Sequence, residues 1–283
     1  MSLRCLPAFT ALANVARTVL LSVLLMLCAS GAQAMRLGGD EQPLTAASGF
    51  DGVGRIECLA PGGRGALIDA TGWVLAAADT VVTAAHSFYG PAGAVDPRAC
   101  VFRLYNADGT TRQAARIRYV RSPWSEPGRR NDSAQDIAIL KLDRPMRVAA
   151  IPAAASAGSG ARSVRLISYP ADVQDRQARV SRGEARPFPL RAARDAESGL
   201  RVSDPSRLFA STIDSAGGSS GGMYVASGSG AAIGVHVGYA CGGADDRCFN
   251  FGLRFDDKIL AMVAAVATDS SAGGGTQLAS AAF

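Results

Sequence analysis

Residues 214–225 read Asp-Ser-Ala-Gly-Gly-Ser-Ser-Gly-Gly-Met-Tyr-Val, a glycine-rich loop that runs directly into an apolar strand. Glycines on both sides of Ser220 allow backbone conformations that other residues avoid, and they let another molecule approach closely. The backbone N–H groups of Gly218 and Ser220 can then converge on one oxyanion, which is the largest stabilising effect in acyl-transfer catalysis. Ser220 is therefore a candidate nucleophile. Taken alone, the stretch is equally well read as an ordinary Gly/Ser-rich loop.

The chain on both sides of this loop consists of short apolar or alternating runs separated by Gly, Pro, Asn and Asp. Such runs, with no long amphipathic helix between them, are typical of an antiparallel β-sandwich or barrel. One helix is predicted at the end, over residues 256–267, where two aspartates favour the positive end of the helix dipole. The predicted strands include Ala66–Ile68, Trp73–Ala76, Val101–Tyr105, Ala115–Tyr119, Ile137–Leu142, Ser163–Ser168, Met223–Ala226 and Ala231–Val237.

The composition changes once in the middle of the chain. Residues 147–161 are small, contain Pro and Gly, and are nearly uncharged, as is common in linkers between folded units. We predict one β unit over residues 55–146, a linker over 147–162, a second β unit with the helix over 163–267, and a flexible tail over 268–283.

Two other stretches place acid–base groups at the ends of apolar strands. Residues 81–86 (VVTAAH) end in two alanines and His86, and the small side chains allow the imidazole to pack closely with its edge toward a cleft. Asp136 opens the apolar run 136–140 (DIAIL), where an unpaired carboxylate is costly to bury and needs a donor such as an imidazole N–H. Taken singly, each also fits a structural role, as a satisfied strand-end histidine and a strand-capping aspartate.

Together the TAAH, DIAIL and GGSSGG motifs resemble those of the trypsin/chymotrypsin-like serine proteases, in the same order and at near-family spacing. The resemblance covers roughly residues 55–267. It implies an all-β fold of two perpendicular antiparallel β-barrels of the chymotrypsin type with a C-terminal helix. It also implies a triad of Ser220 as nucleophile, His86 as base and Asp136 as orienting acid, with Gly218 and Ser220 as oxyanion hole. This chemistry hydrolyses peptide bonds through an acyl-enzyme and needs no cofactor and no metal.

The residue before the nucleophile separates this chain from the digestive trypsins. Those enzymes carry an Asp there, which receives the new N-terminus after zymogen cleavage, whereas this chain has Ser219. The ion pair that activates trypsins therefore cannot form in the same way. On this point the pattern is closest to the bacterial V8-like glutamyl endopeptidases.

Two candidate groups compete to select the P1 residue, the substrate residue on the N-terminal side of the cleaved bond. The V8-like enzymes carry a Gly-[Ile/Val]-His motif whose histidine helps to bind an acidic P1 side chain, and His236 ends that motif here. We therefore favour Glu or Asp at P1. The alternative is a basic P1 residue, because Asp214 and Ser215 stand where trypsins place the carboxylate that binds Arg or Lys. A pairing between Asp214 and His236 would cancel both effects.

The N-terminal segment has the features of a secretory signal peptide. Two arginines come first, an apolar run follows over residues 18–28, and Ala-Gln-Ala at 32–34 matches a signal-peptidase site. The apolar run is shorter than the roughly 20 residues that span a bilayer. We predict removal of residues 1–34, a secreted or periplasmic location, and no stable membrane association after cleavage. Residues 35–54 are either a propeptide or a strap across the second barrel.

Four cysteines remain after that cleavage and permit three pairings. We favour Cys58–Cys100, which would staple the segment that holds His86, and Cys241–Cys248, which would close a short loop after a strand. The chain has no Cys-x-x-Cys pair, which argues against a zinc site. Disulfide formation is consistent with an oxidising compartment outside the cytoplasm.

The charge of the chain excludes a further class of function. The formal net charge of +5 is spread over separated arginines, which is not the pattern of a nucleic-acid-binding surface. We expect a monomer whose partners are protein or peptide substrates. The alternative from another class is a non-catalytic trypsin-like module that binds proteins, although the intact His86, Asp136 and Ser220 argue against it.

Overall fold

The computed structural model describes residues 42–43, 49–59, 66–90, 93–126, 128–155, 162–190, 200–228, 230–241 and 248–269. The predicted signal peptide, most of the segment 35–54 and the tail beyond residue 269 lie outside these ranges. Within them, no helix is long and apolar enough to cross a membrane.

Strands dominate the described part of the chain, as the sequence pattern predicts, and one α-helix follows them. The helix α1 spans Asp257–Ala267 and begins one residue after the predicted start, because the side chain of Asp256 caps it by accepting the Ile259 N–H. The strands are β1 (Gln42–Pro43), β2 (Val53–Leu59), β3 (Ala66–Val74), β4 (Thr80–Thr83), β5 (Tyr89–Gly90), β6 (Gly93–Ala94), β7 (Cys100–Tyr105), β8 (Thr111–Arg121), β9 (Ala138–Leu142), β10 (Arg162–Ser168), β11 (Arg179–Pro187), β12 (Leu208–Ser211), β13 (Met223–Ala226), β14 (Ala232–Cys241) and β15 (Cys248–Arg254).

The first barrel is a closed antiparallel sheet with the strand order β2-β3-β4-β9-β8-β7. The sequence predicts two separate strands at Ala66–Ile68 and Trp73–Ala76, whereas the structure has the single strand β3. The polar residues between them do not interrupt pairing, because Asp69 forms an ion pair with Arg55 on β2 and Thr71 is fully buried.

The second barrel follows the order β11-β10-β13-β14-β15-β12 and closes through pairing of β11 with β12. The short strand β1 adds to β11, with Gln42 opposite Val180. Strand β11 is absent from the predicted strands. Its sequence places arginine and glutamate next to glycine and other small residues, so it lacks an apolar pattern. The strand forms because it pairs with the neighbouring strands.

A continuous apolar core joins the two barrels. It contains Trp73, Val82 and Ile139 from the first barrel together with residues of the second. Trp73 stacks on Phe255, which follows β15, with 5.7 Å between the ring centroids. Burial of large apolar side chains on both sides stabilises this contact. The catalytic candidates described below lie on strand ends beside this core.

Both disulfides join the favoured pairs. Cys58 on β2 bonds to Cys100, directly opposite on β7, and Cys241 at the end of β14 bonds to Cys248 at the start of β15. Cross-strand neighbours in an antiparallel pair have Cβ atoms close enough for such a bond.

Candidate active site

His86 and Asp136 meet because their strands are antiparallel neighbours. Strand β4 pairs with β9, and the last residue of β4, Thr83, lies opposite Ala138, the first residue of β9. The chain that leaves β4 and the chain that enters β9 therefore lie at the same edge of the barrel. His86 sits in a 3-10 turn after β4, and Asp136 follows another such turn before β9.

The Asp136 carboxylate, which is nearly buried, accepts two hydrogen bonds from this histidine. The His86 backbone N–H donates to Oδ1 at 2.9 Å, and the ring Nδ1 lies 2.7 Å from Oδ2. Such a carboxylate fixes both the position of the imidazole and the nitrogen that carries its proton. The donor that the sequence predicts for Asp136 is thus an imidazole N–H.

Ser220 approaches the same imidazole from the second barrel. Its Oγ lies 2.7 Å from His86 Nε2, on the ring edge opposite Asp136. The loop that carries Ser220 is tied to β3 of the first barrel, because Thr71 N–H donates to Ser220 C=O at 2.9 Å and Trp73 Nε1–H donates to Gly221 C=O at 3.2 Å. The structure therefore brings the three predicted triad residues together in one hydrogen-bonded chain.

The pKa of His86 is raised above its usual value of 6.5. Burial by itself lowers the pKa, but the negative charge of Asp136 and its hydrogen bond to the ring outweigh that effect. The side chain keeps 19% of its surface exposed. The imidazole is therefore a stronger base than a free histidine and remains accessible from the cleft.

The peptide unit between Gly217 and Gly218 is held in one orientation. Gly217 C=O accepts the Ala171 N–H at 2.6 Å. In a trans peptide the C=O and N–H point in opposite directions, so the Gly218 N–H points away from Ala171. Within the described residues neither this N–H nor that of Ser220 has an acceptor, as expected of two donors kept for an oxyanion.

Gly218 cannot be replaced without distortion. Its φ of +86° is a conformation that L side chains rarely adopt. A Cβ there would also lie 2.6 Å from Tyr169 C=O and 2.8 Å from Ala171 N. Both constraints explain why a glycine lies two residues before the candidate nucleophile.

Ser219 takes the place of the activating aspartate and is bonded within the second barrel. Its buried hydroxyl oxygen accepts a hydrogen bond from the Ala216 N–H at 3.2 Å and lies 3.1 Å from the Ser168 hydroxyl. The Ser219 N–H donates to Ala216 C=O at 3.0 Å. The loop before Ser220 is thus closed by its own residues.

His236, on β14, is fully buried close to His86. Its Nδ1 lies 3.1 Å from the Tyr224 hydroxyl on β13, while its Nε2 has no hydrogen-bond partner among the described residues. Burial, and then the charge of His86, lower the pKa of His236 to about 3. The imidazole is therefore neutral at physiological pH.

Asp214 and Ser215 are buried in the loop before the nucleophile. Ser215 donates to Asn250 Oδ1 at 2.7 Å, and Asn250 in turn donates to Ile213 C=O at 2.6 Å. The pairing of Asp214 with His236 does not form, because the ring nitrogens of that histidine have Tyr224 as their one partner within the described part of the chain.

Sequence reasoning missed the polar residues that hold these groups in place. Tyr224 and Asn250 stand inside short, largely apolar strands, where each is the conspicuous polar residue, whereas Ser168 ends β10, which also carries two arginines. That anomaly is a usable signal, but it does not say which partner each residue bonds to. No group of three or more His, Cys, Asp or Glu side chains in the described ranges is arranged to hold a metal ion.

Comparison with known proteins identifies the family and supports the fold. The family model of the trypsin-like peptidase domain matches residues 70–235, while no curated protein matches the chain. Among solved structures, a Glu endopeptidase is 16% identical, with a TM-score of 0.59 over 82% of this chain and 99% of that one. The protease Anisep from Arthrobacter nicotinovorans is 19% identical, with a TM-score of 0.59 over 80% of this chain and 99% of the other.

A third similar structure comes from a protein that has lost activity. It is a scabies mite inactivated protease paralogue, 12% identical, with a TM-score of 0.61 over 82% of this chain and 97% of that chain. At such identities the likeness establishes the fold, two closed barrels of the chymotrypsin type. The chemistry of this chain has to be argued from its own residues.

Proposed function

The chain is a serine endopeptidase of the trypsin-like peptidase family, and from that premise we propose that Ser220, His86 and Asp136 are its catalytic triad. The observation that carries the proposal is the continuous chain of contacts from Asp136 Oδ2 through the imidazole to Ser220 Oγ, with 2.7 Å at each step. These distances are within the reach needed for proton transfer.

The proposed reaction follows from where the protons are. Ser220 Oγ attacks the substrate carbonyl carbon while its proton passes to His86 Nε2, and Asp136 stabilises the resulting imidazolium. The N–H groups of Gly218 and Ser220 bind the oxyanion of the tetrahedral intermediate. His86 then protonates the leaving amine, and water attacks the acyl-enzyme by the same route in reverse.

A non-catalytic binding module is the competing hypothesis, and one similar structure is an inactivated protease. A fluorophosphonate probe separates the two, because it reacts only with an activated serine. We expect the probe to label the wild-type protein and Ser220→Ala to abolish labelling. Ser219→Ala is the matched control: it removes a hydroxyl from the neighbouring residue, so labelling should persist, at a lower rate because that hydroxyl closes the loop. An unlabelled wild-type protein, or a labelled Ser220→Ala variant, would contradict the proposal.

For the P1 pocket we propose a preference for a side chain with an oxygen acceptor, Glu and Asp first. Tyr224 also has a hydrogen bond with Ser211, and the Ser211 hydroxyl oxygen accepts the Ile213 N–H. If Ser211 donates to Tyr224, then Tyr224 donates to His236 Nδ1, and the proton of the neutral imidazole is on Nε2. That donor has no protein acceptor in the described part of the chain, and we propose that it is the group to which a P1 carboxylate binds.

Basic P1 residues remain the alternative, through Asp214. Peptides with Glu, Gln, Asp, Arg, Lys, Ala or Phe at P1 test both readings, and Gln against Glu isolates the effect of charge. We expect Glu to be cleaved fastest and His236→Ala or Tyr224→Phe to reduce that preference selectively, with Ala at P1 as the reference. A preference for Arg that survives His236→Ala and is lost in Asp214→Asn would overturn the acidic pocket.

We also propose that the enzyme is exported to the periplasm or the medium. The two disulfides support an oxidising compartment, and the sequence of residues 1–34 supports a cleaved signal peptide. N-terminal sequencing of the exported protein should begin at Met35. A chain that still begins at Met1 would contradict the cleavage.

A further inference from the structure

Thr71, on β3 of the first barrel, uses its hydroxyl and its backbone N–H to contact segments around the oxyanion hole. It is fully buried. Its hydroxyl donates to Gly218 C=O at 2.8 Å and accepts the Tyr169 N–H at 2.8 Å. Its own N–H donates to Ser220 C=O at 2.9 Å, and its C=O accepts the Thr83 hydroxyl at 2.7 Å.

These contacts help to hold two further peptide units of the loop, whose N–H groups donate from Ser219 to Ala216 C=O and from Gly221 to His236 C=O. Ala171 orients the unit between Gly217 and Gly218. The Thr71 hydroxyl holds the next unit through Gly218 C=O, and the Thr71 N–H holds the unit after Ser220 through its C=O. The Gly218 N–H therefore lies between two carbonyls that are bonded to other segments, and the carbonyl that follows the Ser220 N–H is bonded to Thr71.

The same hydroxyl also positions the opposite wall of the hole. By accepting the Tyr169 N–H, it joins the segment 169–171 to the loop that carries Gly218. That segment lies directly against Gly218, where a Cβ would be 2.8 Å from Ala171 N. Glycine has the largest conformational freedom of any residue, so this part of the loop depends on external contacts for a single orientation.

We propose that Thr71 is a positioning residue that holds the oxyanion hole of the second barrel in its donor orientation from the first barrel. The inference rests on the proposed triad mechanism. It requires a small side chain that donates and accepts at once, which a hydroxyl does and an isosteric valine does not. Pre-organised donors stabilise the transition state because they need no reorientation during the reaction.

The test compares Thr71→Val with Thr71→Ser, using the peptide that the wild-type protein cleaves fastest in the P1 panel. We expect Thr71→Val to lower kcat by about 10- to 100-fold and to leave KM nearly unchanged. This decrease in kcat is no larger than the decrease caused by removing an oxyanion donor itself. The rate of fluorophosphonate labelling should fall with kcat. Thr71→Ser keeps the hydroxyl and should restore most of the rate.

Thr83→Val is the matched control, because it removes a buried hydroxyl that bonds to the same residue but not to the loop. We expect it to lower the midpoint of urea unfolding about as much as Thr71→Val does, with kcat near that of the wild type. If Thr71→Val does not fold, Thr71→Cys, which retains a weaker hydrogen-bonding group, should give an intermediate kcat.

Three results would overturn the role of Thr71 while leaving the triad intact. The first is a wild-type kcat in Thr71→Val or, where that variant does not fold, in Thr71→Cys. The second is an equal loss of kcat in Thr71→Val and Thr71→Ser. The third is a decrease in kcat in Thr83→Val that is in proportion to the decrease in its stability. Failure of the triad itself would appear differently, as a wild-type protein that neither cleaves the peptides nor reacts with the fluorophosphonate.

Discussion

The two histidines of the chain lie near each other and in opposite electrostatic environments. His86 has a carboxylate on its Nδ1, which raises its pKa above 6.5 despite burial. His236 has only the neutral Tyr224 hydroxyl, and burial lowers its pKa to about 3. One imidazole is therefore suited to accept a proton near neutral pH, and the other to act as a fixed neutral donor.

This contrast predicts the pH dependence of activity. Because the base must be neutral, kcat/KM should fall as the pH drops through the His86 pKa, with a midpoint above pH 6.5. In Asp136→Asn the raising charge is lost, so the midpoint should move to lower pH, and kcat should fall by about 10⁴-fold. An acid limb at the same pH in both proteins would contradict the proposed role of Asp136.

NMR titration of the two imidazoles checks the same assignment without turnover. In Ser220→Ala we expect one histidine to titrate above pH 6.5 and the other to stay neutral across the range in which the fold persists. The folded-state pKa of His86 lies above the unfolded value, so the pair with Asp136 stabilises the fold at low pH. That contribution is lost as the pH rises through the folded-state pKa. Two histidines that titrate together near pH 6.5 would contradict both environments.

At the scale of elements, strand pairing brings together residues of the proposed triad that are far apart in the sequence. His86 and Asp136 are 50 residues apart and meet because β4 and β9 are antiparallel neighbours with Thr83 opposite Ala138. The two disulfides likewise join residues that face each other across a strand pair, β2 with β7 and β14 with β15. The first encloses the segment that carries His86, while the second joins the adjacent ends of β14 and β15.

The lengths of the closed loops predict unequal contributions from the disulfides. Cys58–Cys100 closes a separation of 42 residues and should stabilise the fold by about 4 kcal/mol, whereas Cys241–Cys248 closes 7 and should contribute about 2 kcal/mol. Urea unfolding of the Cys58→Ala/Cys100→Ala and Cys241→Ala/Cys248→Ala double variants measures both. Equal losses, or a larger loss for the shorter loop, would contradict the loop-entropy argument.

At the scale of the whole molecule, the active site forms where the barrels join. The first barrel supplies His86 and Asp136, and the second supplies Ser220 on a loop that is bonded back to β3 of the first. The stacked Trp73 and Phe255 lie in the same interface. The loop needs no new N-terminus to close it, because Ser219 bonds to Ala216 and Ser168 within the second barrel.

We therefore expect activity without N-terminal processing beyond removal of the signal peptide. A protein that keeps extra residues before Met35 should show the same kcat as one that begins there, because Ser219 is bonded to Ala216 and Ser168 rather than to a chain terminus. Ser219→Ala should lower kcat with little change in KM, since it removes the hydroxyl that closes the loop. Activity that appears only after the extension is cleaved would contradict this account.

Much of the candidate site could be predicted from the sequence because its chemistry is local. Motifs around His86, Asp136 and Ser220 identify the three groups, and their order along the chain indicates the two-barrel fold. The favoured disulfide pairing also matches the structure. Strand β11 is hard to predict because it has no alternation of apolar residues, and β3 is predicted as two pieces because Asp69 and Gly72 interrupt its apolar pattern.

The sequence by itself identifies the candidate catalytic residues, because a nucleophile, a base and a flexible glycine loop are properties of residue type and immediate neighbours. Only the tertiary structure decided how they are held. Thr71, Ala171 and Tyr224 act through contacts with residues far away in the chain, and such contacts depend on strand register and barrel packing. The neutral state of His236 has the same origin, since burial and the nearness of His86 lower its pKa.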